Sequence, residues 1–256
     1  TLYAVEIDGK MLVDSGTDLS GLTQYPSTAP TGCSVGTKQG FSIIRYTGNN
    51  ANRTIAHGLS EPPKFWIYKN LTDSTNWPVN HTILGSMRYL YLNLTNSQGD
   101  NSGSYWGNMP TSDVLYIGAD NDTNGDGDDH IIYAWHDVPG LQKFGTFVGN
   151  GTPGSFIELG FRPAIILMKN TTRNDGPWLI HDSARYPQNP SIYTMEPYTS
   201  DTEASSPVSR EIDILSNGFK TRGSSVAINE SGSTILYAAW AEAPSINLYG
   251  AQSNAR

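Results

Sequence analysis

Residues 56–70 read AHGLSEPPKFWIYKN, and residues 159–170 read LGFRPAIILMKN. Both run Leu/Gly, then Pro, then an apolar strand closed by Lys-Asn. An internal repeat changes the reading of a whole chain, so it is sought before anything else. The match extends outward. Upstream, Tyr46-Thr47-Gly48-Asn49 answers Phe147-Val148-Gly149-Asn150; downstream, Trp77 answers Trp178, each with a His shortly after it, His81 and His181. At the far ends, YAWHDVP at 133–139 answers YAAWAEAP at 237–244. The chain therefore carries two copies of one β-rich unit, 36–140 and 141–247. The offset is 100 positions from Lys69 to Lys169 and 105 from Trp135 to Trp240, so the insertions belong in loops.

At 256 residues, a prior of about 150 residues per domain gives two domains, which agrees with the repeat. Charged residues make up 16%, with 26 Gly, 15 Pro and 14 Tyr. That profile suits short strands and many turns. The net charge is −8 and no basic stripe is visible, so no nucleic-acid partner is expected. Apolar runs such as 164–168 are too short to span a bilayer, so no membrane insertion is expected, and no signal-peptide pattern opens the chain. Starting at Thr1 with a strand at once, the chain reads as a piece of a longer protein. Cys33 is the single cysteine, which rules out an intrachain disulfide and reads as a small buried or loop residue.

In order, residues 2–14 read as a hairpin around Asp8-Gly9, the last hairpin of a preceding β-domain, and 15–39 as a Ser/Thr/Gly/Pro linker. The first copy predicts strands at 40–46, 53–57, 64–69, 79–83, 89–94, 113–117 and 130–136. The second predicts them at 144–148, 155–159, 164–169, 178–181, 211–215, 218–221, 224–228 and 234–240, with a long loop at 182–207. The expected fold is all-β: residues 1–39 end an upstream β-domain and link it to two tandem, related antiparallel β-sandwich modules, 40–140 and 141–256.

The combination G-F-S-I-x-x-Y-T-G-N (40–49), A-H-G-L-x-x-x-P-K (56–64), L-x-K-F-G-x-F-x-G-N-G (141–151), G-F-R-P-A (160–164), W-x-I-H-D (178–182) and L-S-N-G-F-K (215–220) resembles the C-terminal repeat modules of tail-fibre-like virion proteins of tailed, often marine, bacteriophages. The resemblance covers about 36–250. It implies a virion fibre or adhesin module, a homotrimeric assembly and a place on a phage tail or capsid appendage, and it supplies no catalytic residues. The acidic insert at 120–130 departs from that pattern.

The residues themselves offer few chemical constellations. Asp120, Asp122, Asn124, Gly125, Asp126 and Asp128 fit the first nine positions of a calcium loop, but Ile131 stands where a bidentate Glu is needed and no helices flank it. A solvated acidic turn and a bound Ca²⁺ both remain open. His57, His81, His130, His136 and His181 are too scattered for a zinc pattern, and His57 and His181 read as hydrogen-bonded residues at strand ends. His181-Asp182 has no G-x-S-x-G elbow to supply a nucleophile. Asp182, Asp201, Glu203, Glu211 and Asp213 are the carboxylates that a glycosidase pair would draw on, and otherwise read as solvated.

Trp77, Trp135, Trp178 and Trp240 recur in both copies and are expected in the cores. Tyr105, Trp106, Tyr186, Tyr193 and Tyr198 lie in loops that differ between the copies. They are the expected ligand-binding aromatics, either stacking on sugar rings or packing on a neighbouring subunit. Eight N-x-[ST] sequons read as chance in an Asn/Thr-rich chain. The functional expectation is a non-enzymatic phage appendage module that binds host-surface glycan or protein, alongside other virion proteins. A structural capsid decoration, a tailspike-like depolymerase and a secreted lectin-like adhesin are the alternatives.

Overall fold

The computed structural model describes residues 4–7, 10–13, 26–205 and 209–244. The chain is all-β, in several antiparallel sheets, and divides into two compact units. One comprises residues 1–91 and 99–136, the other residues 92–98 and 137–256.

In the first unit, β1 (Ala4–Ile7) and β2 (Lys10–Val13) pair antiparallel, from Ala4↔Val13 to Ile7↔Lys10. The strands that follow are β3 (Gly32–Gly36), β4 (Phe41–Thr47), β5 (Arg53–Ala56), β6 (Phe65–Asn70), β7 (Pro78–His81), β8 (Arg88–Tyr91), β9 (Gly99–Asp100) and β10 (Val114–Ile117). A one-turn helix α1 (Asn121–Asn124) and β11 (Asp129–Trp135) complete the unit. Seven strands form one sheet in the order β3-β4-β11-β6-β7-β8-β9, while β5 and β10 form a second. Alternation of side chains along a strand sets the faces. In β4, Ser42, Ile44 and Tyr46 are buried while Arg45 and Thr47 are exposed. One core takes Ile44, Tyr46, Trp66, Tyr68 and Ile132 from the large sheet and Ile55, Leu115 and Ile117 from the small one.

The second unit contains β12 (Gln142–Val148), β13 (Phe156–Glu158), β14 (Pro163–Asn170), β15 (Trp178–Asp182), β16 (Tyr193–Thr194), β17 (Ala204–Ser205), β18 (Ile212–Leu215) and β19 (Gly218–Thr221), then a one-turn helix α2 (Val226–Asn229) and β20 (Thr234–Ala241). Its four-stranded sheet runs β12-β20-β14-β15, the same order as β4-β11-β6-β7. A three-stranded sheet, β13-β19-β18, shares its core: Ile166, Met168 and Tyr237 from one sheet meet Ile157, Ile214 and Phe219 from the other. Each unit thus has β-sandwich character, with two sheets over one apolar core.

The repeated dipeptide Lys-Asn follows from strand geometry. Successive side chains point to opposite faces, so Lys and Asn do different work. Asn70 donates to Asn121 O (3.1 Å) and Asp128 Oδ2 (2.7 Å), and Asn170 to Val226 O (2.6 Å) and Glu230 Oε2 (3.1 Å). Each asparagine ties its strand to the one-turn helix. On the other face, Lys69 donates to the carbonyls of Asn70, Asp73 and Thr75 and lies over the Trp77 ring. Fully buried Lys169 donates to the carbonyls of Thr95 and Gly176, and burial pulls its ammonium down to about 8. Thr95 comes from 92–98, the segment of the first copy that belongs to the second unit.

The repeated Gly-Asn has an equally local cause. A Cβ on Gly48 would lie 1.8 Å from Gly125 O, and one on Gly149 would lie 2.2 Å from Glu230 O. Only glycine lets the two backbones approach this closely.

Several sequence expectations are corrected here. Part of the expected linker, Gly32–Gly36, is a strand on β4, because Gly32–Gly36 matches the ladder of Phe41–Arg45. Cys33 is exposed there. The strand expected at 79–83 gives way to a 3₁₀ turn at Thr82–Leu84, capped by His81 accepting from Ile83 N. The strand expected at 89–94 stops at Tyr91. The strand expected at 224–228 is replaced by α2, whose N-cap Ser225 accepts from Ala227 N. At Thr82–Leu84 and at α2 a local cap satisfies backbone donors that alternation alone assigned to a ladder. Of the four recurrent tryptophans only Trp178 is fully buried; Trp77, Trp135 and Trp240 are half-buried. Trp66 and Trp106 fill the first core instead.

Candidate functional site

The acidic turn at 120–130 is built into the protein's own hydrogen bonds. Asp120 caps α1, accepting from Asp122 N at 2.9 Å, and its carboxyl is raised by burial. Asp122 accepts from the Tyr105 hydroxyl at 3.0 Å, and Asp128 accepts from Asn70. Asn124 is buried, its amide donating to Ala51 O and Gly118 O. Asp126 is exposed. Among the described residues no group of three His, Cys, Asp or Glu gathers as a metal site would require. Of the residues expected to hold calcium, Asp120, Asp122, Asn124, Asp126 and Asp128, the helical turn aims Asn124 into the core, uses Asp120 as its cap, gives Asp122 and Asp128 side-chain donors and leaves Asp126 exposed.

Tyr105 and Trp106, expected on a ligand-binding loop, are only 5% and 3% exposed. Trp106 meets Trp66 edge-on at 6.0 Å and stacks near Tyr68 at 5.8 Å. Tyr105 packs on Tyr89 and shares a short hydrogen bond with the Tyr91 hydroxyl; burial raises its phenol. Both rings are core, because this loop folds inward over the sheet and large rings are worth most there. They are withdrawn as ligand contacts.

The loop of the second unit is different. Tyr186, Tyr193 and Tyr198 are all half-buried. Tyr186 and Tyr193 meet edge-to-face with centroids 5.1 Å apart. The loop is anchored on strand pairing: Ile180 N donates to Met195 O at 2.8 Å and Met195 N returns to Ile180 O at 3.1 Å, while Ser191 and Ile212 exchange bonds likewise. Asp182 starts it, its Oδ1 accepting from Ala184 N and Arg185 N. Arg185 pairs with both Asp182 and Glu203. Arg210 pairs with Glu196, and the Tyr198 phenol, hydrogen-bonded to Glu196, is pushed up to about 12. Asp213 pairs with Arg222 at 2.7 Å. These arginines were not singled out in the sequence; the signal that could have found Arg185 is Asp182 three residues before it, in a turn sequence.

His181 is also not what the sequence implied. It is fully buried with neither ring nitrogen hydrogen-bonded, and burial pushes its imidazole down to about 3. His57, by contrast, is satisfied as expected: Nδ1 accepts from Leu59 N (3.0 Å) and Nε2 lies 3.1 Å from Thr111 O. Strand register also revises the repeat. Trp66 pairs with Asn80 where Ile166 pairs with His181, so the partner of His181 in the first copy is Asn80. His81 corresponds to Asp182, and both cap the turn that follows.

The match of a family model over residues 22–244 covers both units. The chain belongs to the family described as "Domain of unknown function (DUF7483)". No curated protein matches the chain. Among the described residues no helix is long and apolar enough to cross a membrane.

Proposed function

We propose that this DUF7483 chain is a non-enzymatic module of a tailed-phage virion appendage, homo-oligomeric and joined to other virion proteins, that binds host-surface glycan through the tyrosine loop of its second unit. The observation that carries the reading is the half-buried Tyr186–Tyr193 pair, held on a strand-anchored loop. Two rigid phenol rings flanked by Arg185 and Glu203 offer faces for stacking on pyranose rings and fixed partners for hydroxyls. The motif combination at 40–49, 56–64, 141–151, 160–164, 178–182 and 215–220 supports the virion assignment. A non-enzymatic role is favoured because Asp182, Glu203 and Asp213 are each engaged by an arginine and His181 is neutral and enclosed.

The test is binding of the assembled protein to a glycan array and to host cells, with and without EDTA, beside the double variant Tyr186→Ala/Tyr193→Ala. Saturable binding, indifferent to EDTA and lost in the variant, is expected. Binding that survives in the variant moves the site elsewhere. Absence of binding by the correctly assembled oligomer would replace this reading with a structural decoration of the capsid.

A further inference from the structure

His181 sits where the tyrosine loop is pinned to the second sheet. Its strand, β15, is hydrogen-bonded on one side to β14 and touches β16 on the other through the Ile180–Met195 bridge. The antiparallel register that pairs Ile180 with Met195 sets Thr194 opposite His181. Thr194 Oγ1 and both His181 ring nitrogens are buried without hydrogen-bond partners. The charged groups acting on the ring are Arg185, Asp182 and Arg210. Asp182 lies on its own strand, Arg185 on the loop and Arg210 beyond it. β14 presents Ile166 across the ladder, and β16 presents Thr194, neither of which titrates. Both arginines hold loop carboxylates, Arg185 to Glu203 and Arg210 to Glu196.

A proton on this imidazole would put a third cation beside two arginines, in a place with no water-facing surface. The ring can take up that proton only after the loop lifts from β15. We propose that His181 is an acid-operated latch: above neutral pH the neutral ring lets residues 183–203 close on β15, and acidification releases them. The inference stands on the loop's geometry and holds whether or not the loop binds glycan.

The sign follows from linkage. The closed state binds the proton only near pH 3, whereas an open, hydrated histidine binds it near about 6.5. Closure is therefore fully favoured above about pH 6.5 and is lost as pH falls toward 3. In that window the open state carries one more proton, so the open population rises about tenfold for each pH unit. Between about pH 5 and 6.5 ordinary carboxylates stay ionised, and the slope there belongs to the imidazole.

The experiment is amide hydrogen exchange on the whole chain between pH 5 and 7.5, corrected for intrinsic rates, read at Ile180 and Met195, which bond each other across the bridge. Opening at these amides should steepen about tenfold per unit below pH 6.5. His181→Asn, the residue the first unit carries at this place, should abolish the slope. Glu203→Gln removes one anchor of Arg185 and should raise opening equally at every pH with the slope intact; it keeps the test decisive if the histidine variant does not fold. A flat profile in the native chain, a slope that persists in His181→Asn, or a slope that Glu203→Gln removes would each overturn the latch.

Discussion

Asn124 and Asn229 do the same work in the two units. Asn124 Nδ2 donates to Ala51 O (2.7 Å) and Gly118 O (2.8 Å), and its Oδ1 accepts from Asn49 N (3.1 Å). Asn229 Nδ2 donates to Thr152 O (2.7 Å) and Gly223 O (3.2 Å), and its Oδ1 accepts from Asn150 N (3.1 Å). Both side chains are fully buried. One amide thus satisfies three backbone groups where three loops meet, which no other side chain of that size does with both donors and an acceptor.

Replacing either asparagine by Leu should be severe. Three backbone groups lose their partners, at about 1–3 kcal/mol each, and relaxation toward water recovers part of it. A loss of about 3–5 kcal/mol is expected for Asn229→Leu, read as a shift in the urea midpoint of the second unit. A loss under about 1 kcal/mol would mean the loops find water without the amide.

His130 predicts the opposite sign. It is buried, stacks on Tyr46 at 5.2 Å, and meets only the Gly125 backbone, outside good hydrogen-bond geometry for either ring nitrogen. Register places it opposite Asn70, as Ile235 is placed opposite Asn170. The poorly paired imidazole costs up to about 1–3 kcal/mol, against about 0.5–1.5 for a ring contact. His130→Ile should therefore stabilise the first unit at pH 7, seen in its denaturation midpoint.

The same residue sets a pH dependence. Burial lowers the His130 imidazole from its ordinary value. A base depressed in the folded state contributes stability that is present above its unfolded value, about 6.5, and is lost as pH falls below it. The native chain should lose stability from pH 7 to 5 more steeply than His130→Ile. Parallel pH profiles would refute this.

Gly149→Ala should destabilise by about 2 kcal/mol or more, since its Cβ would meet backbone at 2.2 Å and a backbone oxygen cannot rotate away. Gly32→Ala, with nothing within 4 Å of its Cβ, is the control and should leave the melting temperature nearly unchanged.

Trp106→Ala and Tyr193→Ala should separate core from surface. The first empties a buried ring site, costing about 3–5 kcal/mol. The second removes a half-buried ring from the loop and should cost far less stability while weakening glycan binding. Differential scanning calorimetry beside the array measurement distinguishes them.

Removing metal should do nothing to stability. Asp120, Asp122 and Asp128 of the acidic turn accept from Asp122 N, the Tyr105 hydroxyl and Asn70 respectively. EDTA or millimolar Ca²⁺ should leave the melting temperature in place, and a rise with Ca²⁺ would restore a metal role to the turn.

The all-β class and the repeat are legible in the order of residues alone. Alternation and turn residues are local, so the strands expected at 40–46, 64–69 and 130–136 lie within a residue of Phe41–Thr47, Phe65–Asn70 and Asp129–Trp135. Lys-Asn and Gly-Asn recur because each copy needs the same carbonyl cage and the same close approach. Which face a loop presents depends on long-range packing. The loop carrying Tyr105 and Trp106 turns inward, whereas the one carrying Tyr186 and Tyr193 stays half-open; both are polar and aromatic in sequence, and burial depends on contacts distant along the chain. Likewise a D-x-D-x-N-G pattern fixes residue types but not where the carboxylates point, and one cap on α1 sends them to protein donors. That His181 is the counterpart of Asn80 rather than of His81 needed the ladder itself, since a one-residue difference in register moves a side chain from one face of a sheet to the other.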